Sequence, residues 1–517
     1  MPSSQSRGRL QKHLHTSPRW ARSALAGLAL VGLIGLLAAS GCINGESIES
    51  PSHDGFVADD SAAGSAYSRG HQAAIHNLKA AIPAAGDVLI AGGADASNRS
   101  LAAAEFYDPS AGRFVVTGSA GSSRAGASAA ALSATQVMLD GGFSGSAAIK
   151  NFSLTLEGDV LSGAEIFDEA TGAFSPAGKM AAPRLGSTAT ALNNSNGEIL
   201  VVGGQDNLGN VLDTAELYDP AARKFIAVTN TMSDRRMFHT ATLLLSGKVL
   251  VAGGATNLSG DTTSSADIYD PASNSFTPAI FPMDHQRAAH TATLFTSGPL
   301  AGKVLITGGV GGSSFFFKDS SAEIYDPASQ EFILLSTFMN EPRSLHTATL
   351  LEDGSVLLAG GFSGSVAVSG GVLSGASGLT SNSAETFDPN TGDFTCVGGF
   401  NTETTRCNQS MSVARAGHTA TLLATGPTPH RVLIAGGIGA ADPAAHGAVL
   451  RSADLFNPAG GGSFSATGAM SNPRALHTAT LLRQQRILFR HFQTLVTSSA
   501  SRACPLMPLP VCGSVGG

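Results

Sequence analysis

Between Arg287 and Phe332 the chain reads, in order, HTATL (290–294), VLITGG (304–309) and AEIYDP (322–327). Each string is a short run of β-branched and aromatic residues closed by Gly or by Asp-Pro, which is how strands bounded by turns read. The doublet Gly308-Gly309 has no Cβ, so it accepts turn conformations and lets neighbouring backbones come close at a strand end. Asp326-Pro327 starts the following turn, the proline presetting φ and the aspartate offering a side-chain acceptor.

The same order recurs outward in both directions. Doublets that close an apolar run begin at Gly92, Gly141, Gly203, Gly253, Gly308, Gly360 and Gly436, 49 to 76 residues apart. Each is followed by an aromatic and an Asp or Asn: Tyr107-Asp108, Phe167-Asp168, Tyr218-Asp219, Tyr269-Asp270, Tyr325-Asp326, Phe387-Asp388 and Phe456-Asn457. Next comes Phe114, Phe174, Phe225, Phe276, Phe332, Phe394 or Phe464. An Arg then leads a further strand, at Arg124, Arg184, Arg236, Arg287, Arg343, Arg415 and Arg474, and in the last five copies a His follows three residues later. Four signals in fixed order, seven times over, define a repeat architecture.

These signals resemble the kelch repeat over roughly residues 85–482. The resemblance implies an all-β fold, a seven-bladed kelch β-propeller like the central domain of the galactose-oxidase type, each unit being one four-stranded blade. HTATL is then the first strand of a blade, the VLITGG run the second, AEIY the third, and the Phe lies on the fourth. The order opens with a doublet and ends with Arg474 and HTATL (477–481), so the segment 474–482 is expected to supply the first strand of blade one and leave no bare strand edge. A rival reading draws that strand from His76–Ile82.

Composition agrees. The chain has 517 residues, 43% apolar and only 13% charged, with 62 Gly, so it is neither disordered nor collagen-like. Net charge is −7, and five basic residues fall in the first 22 positions, so the rest is more acidic still and nucleic acid is an unfavourable partner. Arg7, Arg9, Lys12, Arg19 and Arg22 precede the apolar stretch Ala24–Ala39, the layout of an export signal. Ala39-Ser40-Gly41-Cys42 resembles a bacterial lipobox, with Ala39 where Leu is usual, and the resemblance implies lipidation at Cys42. The expected division is a lipoprotein signal peptide (1–41), a flexible Ser-, Asp- and Gly-rich tether (42–82), the propeller (83–482) and an irregular tail (483–517). In the tail RQQRILFR (483–490) breaks the pattern, and Cys504 and Cys512 are either a disulfide loop or part of an unstructured end.

Insertions mark where function sits. Between doublet and third strand, blades one, three, four and five have 10, 10, 11 and 12 residues, whereas blades two, six and seven have 21, 22 and 15. A further insertion in blade six, between Phe394 and Met411, contains Cys396 and Cys407, which in an exported protein read as a disulfide restraining the loop. Alternating strand direction puts all these loops on one face, where insertions in repeat proteins often form the binding surface. The run Phe315, Phe316, Phe317 and Lys318, with Phe143 and Phe362 at the start of the long loops of blades two and six, makes up the candidate contact set.

The five His sit in equivalent slots of different blades and are expected to tie neighbouring blades together; the seven Arg have the same role. A galactose-oxidase-like copper radical site needs tyrosine ligands, and here four of the five Tyr occupy the repeated third-strand slot while Tyr67 precedes the propeller. No catalytic residue, metal ligand or cofactor is therefore assigned. The sequence points to an exported, monomeric, lipid-anchored protein of the bacterial cell envelope, at the outer membrane or cell surface, that binds a protein or carbohydrate ligand through its loop-rich face. The alternative is an exported carbohydrate-active enzyme of sugar mutarotase or epimerase type.

Overall fold

The structure, a computed structural model, describes residues 86–482 except 151–152, 313–316, 364, 370–371, 378–379, 404–405, 409, 424–429 and 440–447. The signal segment, Cys42, the tether, the rival strand 76–82, Phe315, Phe316 and the tail with Cys504 and Cys512 lie outside the described residues.

Seven four-stranded antiparallel sheets form the body. In blade four the inner strand Thr240–Leu243 pairs with Val249–Ala252, which pairs with Ala266–Asp270, which pairs with the outer strand Ser275–Pro278. Inner strands of successive blades adjoin one another all the way round the ring. Blade one takes its inner strand, Thr478–Leu481, from the C-terminal segment, pairing Val88 with Leu481 and Ala91 with Thr478. This is the closure expected from the order of the signals, and it leaves no inner position open.

Burial follows the radial order. Second strands such as Val249–Ala252 and Val304–Thr307 are buried at every position, because blades pack on both of their faces, and they accordingly read as unbroken apolar runs. Outer strands such as Lys224–Ala227 are exposed at most positions. The core lies between blades: Leu250, Ala252 and Ile268 of blade four cluster with Val304, Ile306, Tyr325 and Phe332 of blade five. The repeated aromatic and the Phe that follows it are partners across the third and fourth strands, with ring centroids 4.7 Å apart and tilted for Tyr325 and Phe332. Such tilted contacts add to what burial alone contributes. The turn between these strands is fixed by the aspartate, Asp326 Oδ1 accepting the N–H of Ala328 at 2.9 Å.

The Arg before each inner strand is 0–2% exposed and joins blades. Arg287 Nη1 donates to Gly308 O at 2.8 Å and Nη2 to Glu323 Oε1 at 2.6 Å, both in its own blade. Its own carbonyl accepts from Gly254 N–H of the preceding blade at 2.8 Å. The doublet glycine is forced by this approach: Gly253 has φ +63, and a Cβ there would stand 2.5 Å from Arg287 O.

Candidate functional site

Second-to-third loops and fourth-to-first connections emerge together on one face, which carries both the mouth of the central channel and the insertions. At the mouth, the residue before each repeated His, or the equivalent in blades two and three, is left-handed: Gly126, Gly186, Phe238, Ala289, Leu345, Gly417 and Leu476 have φ between 52° and 68°. Each donates its N–H to the carbonyl of its counterpart in the preceding blade, so that seven hydrogen bonds close a circle. Six span 2.9–3.1 Å, and the Gly186 to Gly126 link is 3.4 Å. Phe238, Ala289, Leu345 and Leu476 are strained in this region, and the closed circle over-determines them.

Directly beneath, the five His line a cavity of about 260 Å³ together with Phe238, Leu345 and Leu476. Each imidazole is bonded to the neighbouring blade through Nε2, while its Nδ1 is buried without a partner among the described residues. His239, His290, His346, His418 and His477 place Nε2 3.0–3.1 Å from the Oγ1 of Thr188, Thr240, Thr291, Thr347 and Thr419. Burial, reinforced by Arg236 and Arg184, pushes His239 down to about 3, and burial beside Arg343 does the same to His346. These imidazoles are neutral at any physiological pH. Among the described residues no three of His, Cys, Asp or Glu gather where they could hold a metal ion. The His tie neighbouring blades as expected, whereas the Arg side chains brace their own blade and only the Arg main-chain carbonyl reaches the preceding one.

Above the mouth the insertions are hairpins. In blade two, Phe143–Lys150 pairs with Ser153–Val160. Its base is laced to both neighbours: Ser100 N donates to Gly145 O at 2.9 Å, Ser123 Oγ stands 2.7 Å from Ser100 Oγ and 2.9 Å from Ser144 Oγ, and Asn207 bonds the backbone of Val160. Blade six carries the hairpin Ser365–Ser369 with Val372–Ser377, and blade seven the short pair Ile438–Gly439 with Ala448–Val449. Blade five also has one, which the loop lengths did not single out: Val310–Gly311 pairs with Phe317–Lys318. Cys396 and Cys407 form a disulfide around the pair Phe400–Asn401 and Arg406–Cys407, leaving Phe400 46% exposed.

Two of the candidate contact residues are not on the surface. Phe143 and Phe362 are 4% and 2% exposed. The residue after each doublet extends the blade ladder inward: Phe143 bridges Ala125 and Phe362 bridges Ser344, as Ala255 bridges Met237 and Ile438 bridges Ala416. Phe362 packs with Ala416, Ile438 and Ala475. The slot is a core position in every blade, so these side chains cannot meet a ligand.

Blades two and three depart from the hub pattern. The His slot holds Ala127 in blade two and Ser187 in blade three, and the residue before the doublet in blade two is Asp140, where blade four has Ala252. Asp140 is fully buried, accepts a 2.7 Å bond from Ser128 Oγ through Oδ1, and has no partner at Oδ2 among the described residues. Burial is the largest influence on it and raises its pKa to about 6, against the opposing pull of Ser128, Arg124 and Arg184.

A family model described as the Kelch motif matches residues 186–232, which run from the mouth glycine of blade three to Met232 after its outer strand. The chain is a seven-bladed propeller carrying the kelch motif. Among solved structures, the kelch propeller is similar to one titled "Structure of YjhT", with 13% identity, 66% of this chain and 97% of that chain covered, and a TM-score of 0.45. It is also similar to a fungal alcohol oxidase of the AA5 family in complex with copper, with 19% identity, 71% of each chain covered and a TM-score of 0.48. No curated protein matches it. Blade count and topology stand on this chain's own strand pairing and on neither likeness.

Proposed function

We propose that this kelch propeller is a non-catalytic binding module of the bacterial cell envelope, tethered through a lipid on Cys42 and presenting its hairpin-bearing face to a protein or glycan. The observation that carries the reading is the division of labour between hub and loops. The repeated His and Arg at the hub bond the inner strands of neighbouring blades and the strands within each blade, while the non-repeated residues are concentrated in hairpins on one face. The mouth cavity of about 260 Å³ falls below the ~300–1,000 Å³ usual for small-molecule pockets, which favours recognition by the loops over an enclosed substrate site.

The test is to delete Ser363–Ser381 and measure capture of envelope proteins and of an immobilised glycan panel alongside the melting temperature. The expected outcome is an intact fold with capture lost; equal capture by the shortened protein would overturn the assignment of the face. The enzymatic reading is favoured by one group, His285, which is half-exposed with Nδ1 3.0 Å from Asp319 Oδ2, leaving Nε2 available as an acid or base. Mutarotation of reducing sugars, followed by polarimetry and abolished in His285→Ala, would move the balance to that reading.

A further inference from the structure

The outer strand of every blade is a sheet edge, and an edge is where identical chains most readily meet, because each copy carries the same one. The two positions after the repeated Phe show how this chain manages its edges. They are Ser175-Pro176 in blade two, Thr277-Pro278 in blade four, Thr395-Cys396 in blade six and Ser465-Ala466 in blade seven, polar or proline choices that discourage pairing. In blade three Ile226-Ala227 follows Arg223-Lys224, and in blade one Val115 is half-buried. Blade five alone exposes two large apolar side chains in succession, Ile333 and Leu334. The connection arriving from the preceding blade sharpens the contrast. Blade three sends Asn230, five residues after Phe225, to the edge of blade four, where its side chain accepts from Phe276 N–H at 2.8 Å and donates to Phe276 O at 2.9 Å. The corresponding residue for the edge of blade five is Phe281, five after Phe276, whose ring offers no such bond. Ile280 precedes it, and Phe338 lies just beyond the outer strand of blade five. Ile280, Phe281, Ile333, Leu334 and Phe338 are 39–66% exposed and make up half of the ten large apolar side chains exposed among the described residues, so exposure of this kind is concentrated on one sector of the rim.

We propose that this sector is the interface of a homodimer, in which the rim of blades four and five meets the same rim of a second copy about a two-fold axis. A two-fold interface sets one patch against itself, which suits a patch without charge. The stretches 280–283 and 333–340 that form it contain no ionisable side chain. Two copies of a chain with net charge −7 repel over much of their surface, so an uncharged sector is where they can approach. Neither stretch holds a Lys or Arg that would draw the rim to an anionic lipid surface instead. The area fits as well. Half-exposed side chains of this size present about 100 Å² each, or about 500 Å² for the five. A standard interface covers about 800 Å² per partner, of which about 450 Å² is apolar. The sector thus supplies the apolar part of a stable dimer. The monomer expected from the sequence is replaced by a pair carrying two hairpin faces, whatever those faces bind.

The experiment is sedimentation equilibrium on the full chain in a mild, density-matched detergent, with wild type, Ile333→Lys/Phe338→Lys and Val116→Lys. Val116 lies on the outer strand of blade one and is exposed to the same extent as Ile333, so it controls for the added charge alone. Wild type should be dimeric at micromolar concentration. The double variant should raise the dissociation constant at least about a hundredfold, as expected for loss of two central apolar anchors, and Val116→Lys should leave it unchanged. Radical footprinting of wild type, dilute and concentrated, needs no variant and decides the matter should the double variant fail to fold: Phe281 and Phe338 should lose reactivity on concentration, and Leu208, exposed in a loop of blade three, should not. A wild type that stays monomeric, whatever else its rim then captures, overturns the proposal. So does a dimer that survives Ile333→Lys/Phe338→Lys, that Val116→Lys breaks equally, or that leaves Phe281 and Phe338 reactive.

Discussion

Replacing Arg474 by Met tests how the ring is closed. Arg474 belongs to the C-terminal segment, yet its Nη1 donates to Gly92 O and Ala103 O at 2.7 and 2.8 Å and its Nε to Glu105 at 3.0 Å, all near the other end of the body. Both ionic partners are buried to within 1%. Removing the guanidinium leaves Glu105 buried with Ser471 N–H as its remaining donor, and breaking a buried pair in this way costs about 3–5 kcal/mol. Pairing the change with Glu105→Leu removes the stranded charge. Ala103 O keeps the N–H of Gly92 at 3.3 Å, but Gly92 O then stays unpaired, at about 1–3 kcal/mol, so the double variant should recover only part of the loss. Urea unfolding of wild type, the single variant, the double variant and Arg236→Met gives the comparison. Arg236 makes the same contacts inside the ring, to Gly253 O, Ser265 O and Asp267. Similar losses at both sites are expected, since the closing segment is integrated like any other. A loss under about 1 kcal/mol at Arg474 alongside a full loss at Arg236 would refute closure by this segment.

Gly308→Ala should cost several kcal/mol, because φ is +63 and the new Cβ would meet Arg343 O at 2.4 Å; Gly354→Ala, with φ +86 and open space, should cost only about 1 kcal/mol, and thermal melts of the two separate crowding from strain. Cys396→Ser/Cys407→Ser should lose up to about 3 kcal/mol by the loop-entropy estimate and show its first proteolytic cut between the two positions; a first cut elsewhere would mean the insertion is held by other contacts. The imidazoles of His239, His346 and His477, with pKa values of about 3, should keep neutral-form NMR shifts at pH 5, and an imidazolium signal there would contradict their burial.

Much of this was legible because a propeller repeats its solutions. Seven doublets, seven Arg and seven aromatic pairs could be aligned with one another, and equivalence across blades pointed to a blade-tying role for the five His, which their Nε2 bonds to Thr display. The contact set was less legible. Phe143 and Phe362 open long loops in the sequence, but the first residue after a doublet still belongs to the ladder, and Gln205 in blade three is buried in the same slot. Aligning that slot across all seven blades would have shown Ala, Gln, Val and Ile beside the two Phe, the mark of a packing position. Asp140 was missed for a related reason. It stands out only against the Ala252 and Ala359 of other blades, and its partner Ser128 lies 12 residues earlier on the neighbouring strand.

The hub therefore contains two kinds of buried titratable group that respond oppositely to acid. For the five His burial depresses the folded pKa, to about 3 for His239, His346 and His477, so the stability they contribute is fully present above the unfolded value of about 6.5 and is lost as pH falls below it. Asp140 has a raised folded pKa, and its contribution is lost as pH rises from about 4 to 6. A global melt on wild type alone mixes the two slopes, with the five imidazoles outweighing the one carboxylate. The difference between wild type and Asp140→Asn cancels the imidazoles and isolates the carboxylate, provided that the substitution leaves Ser128 bonded.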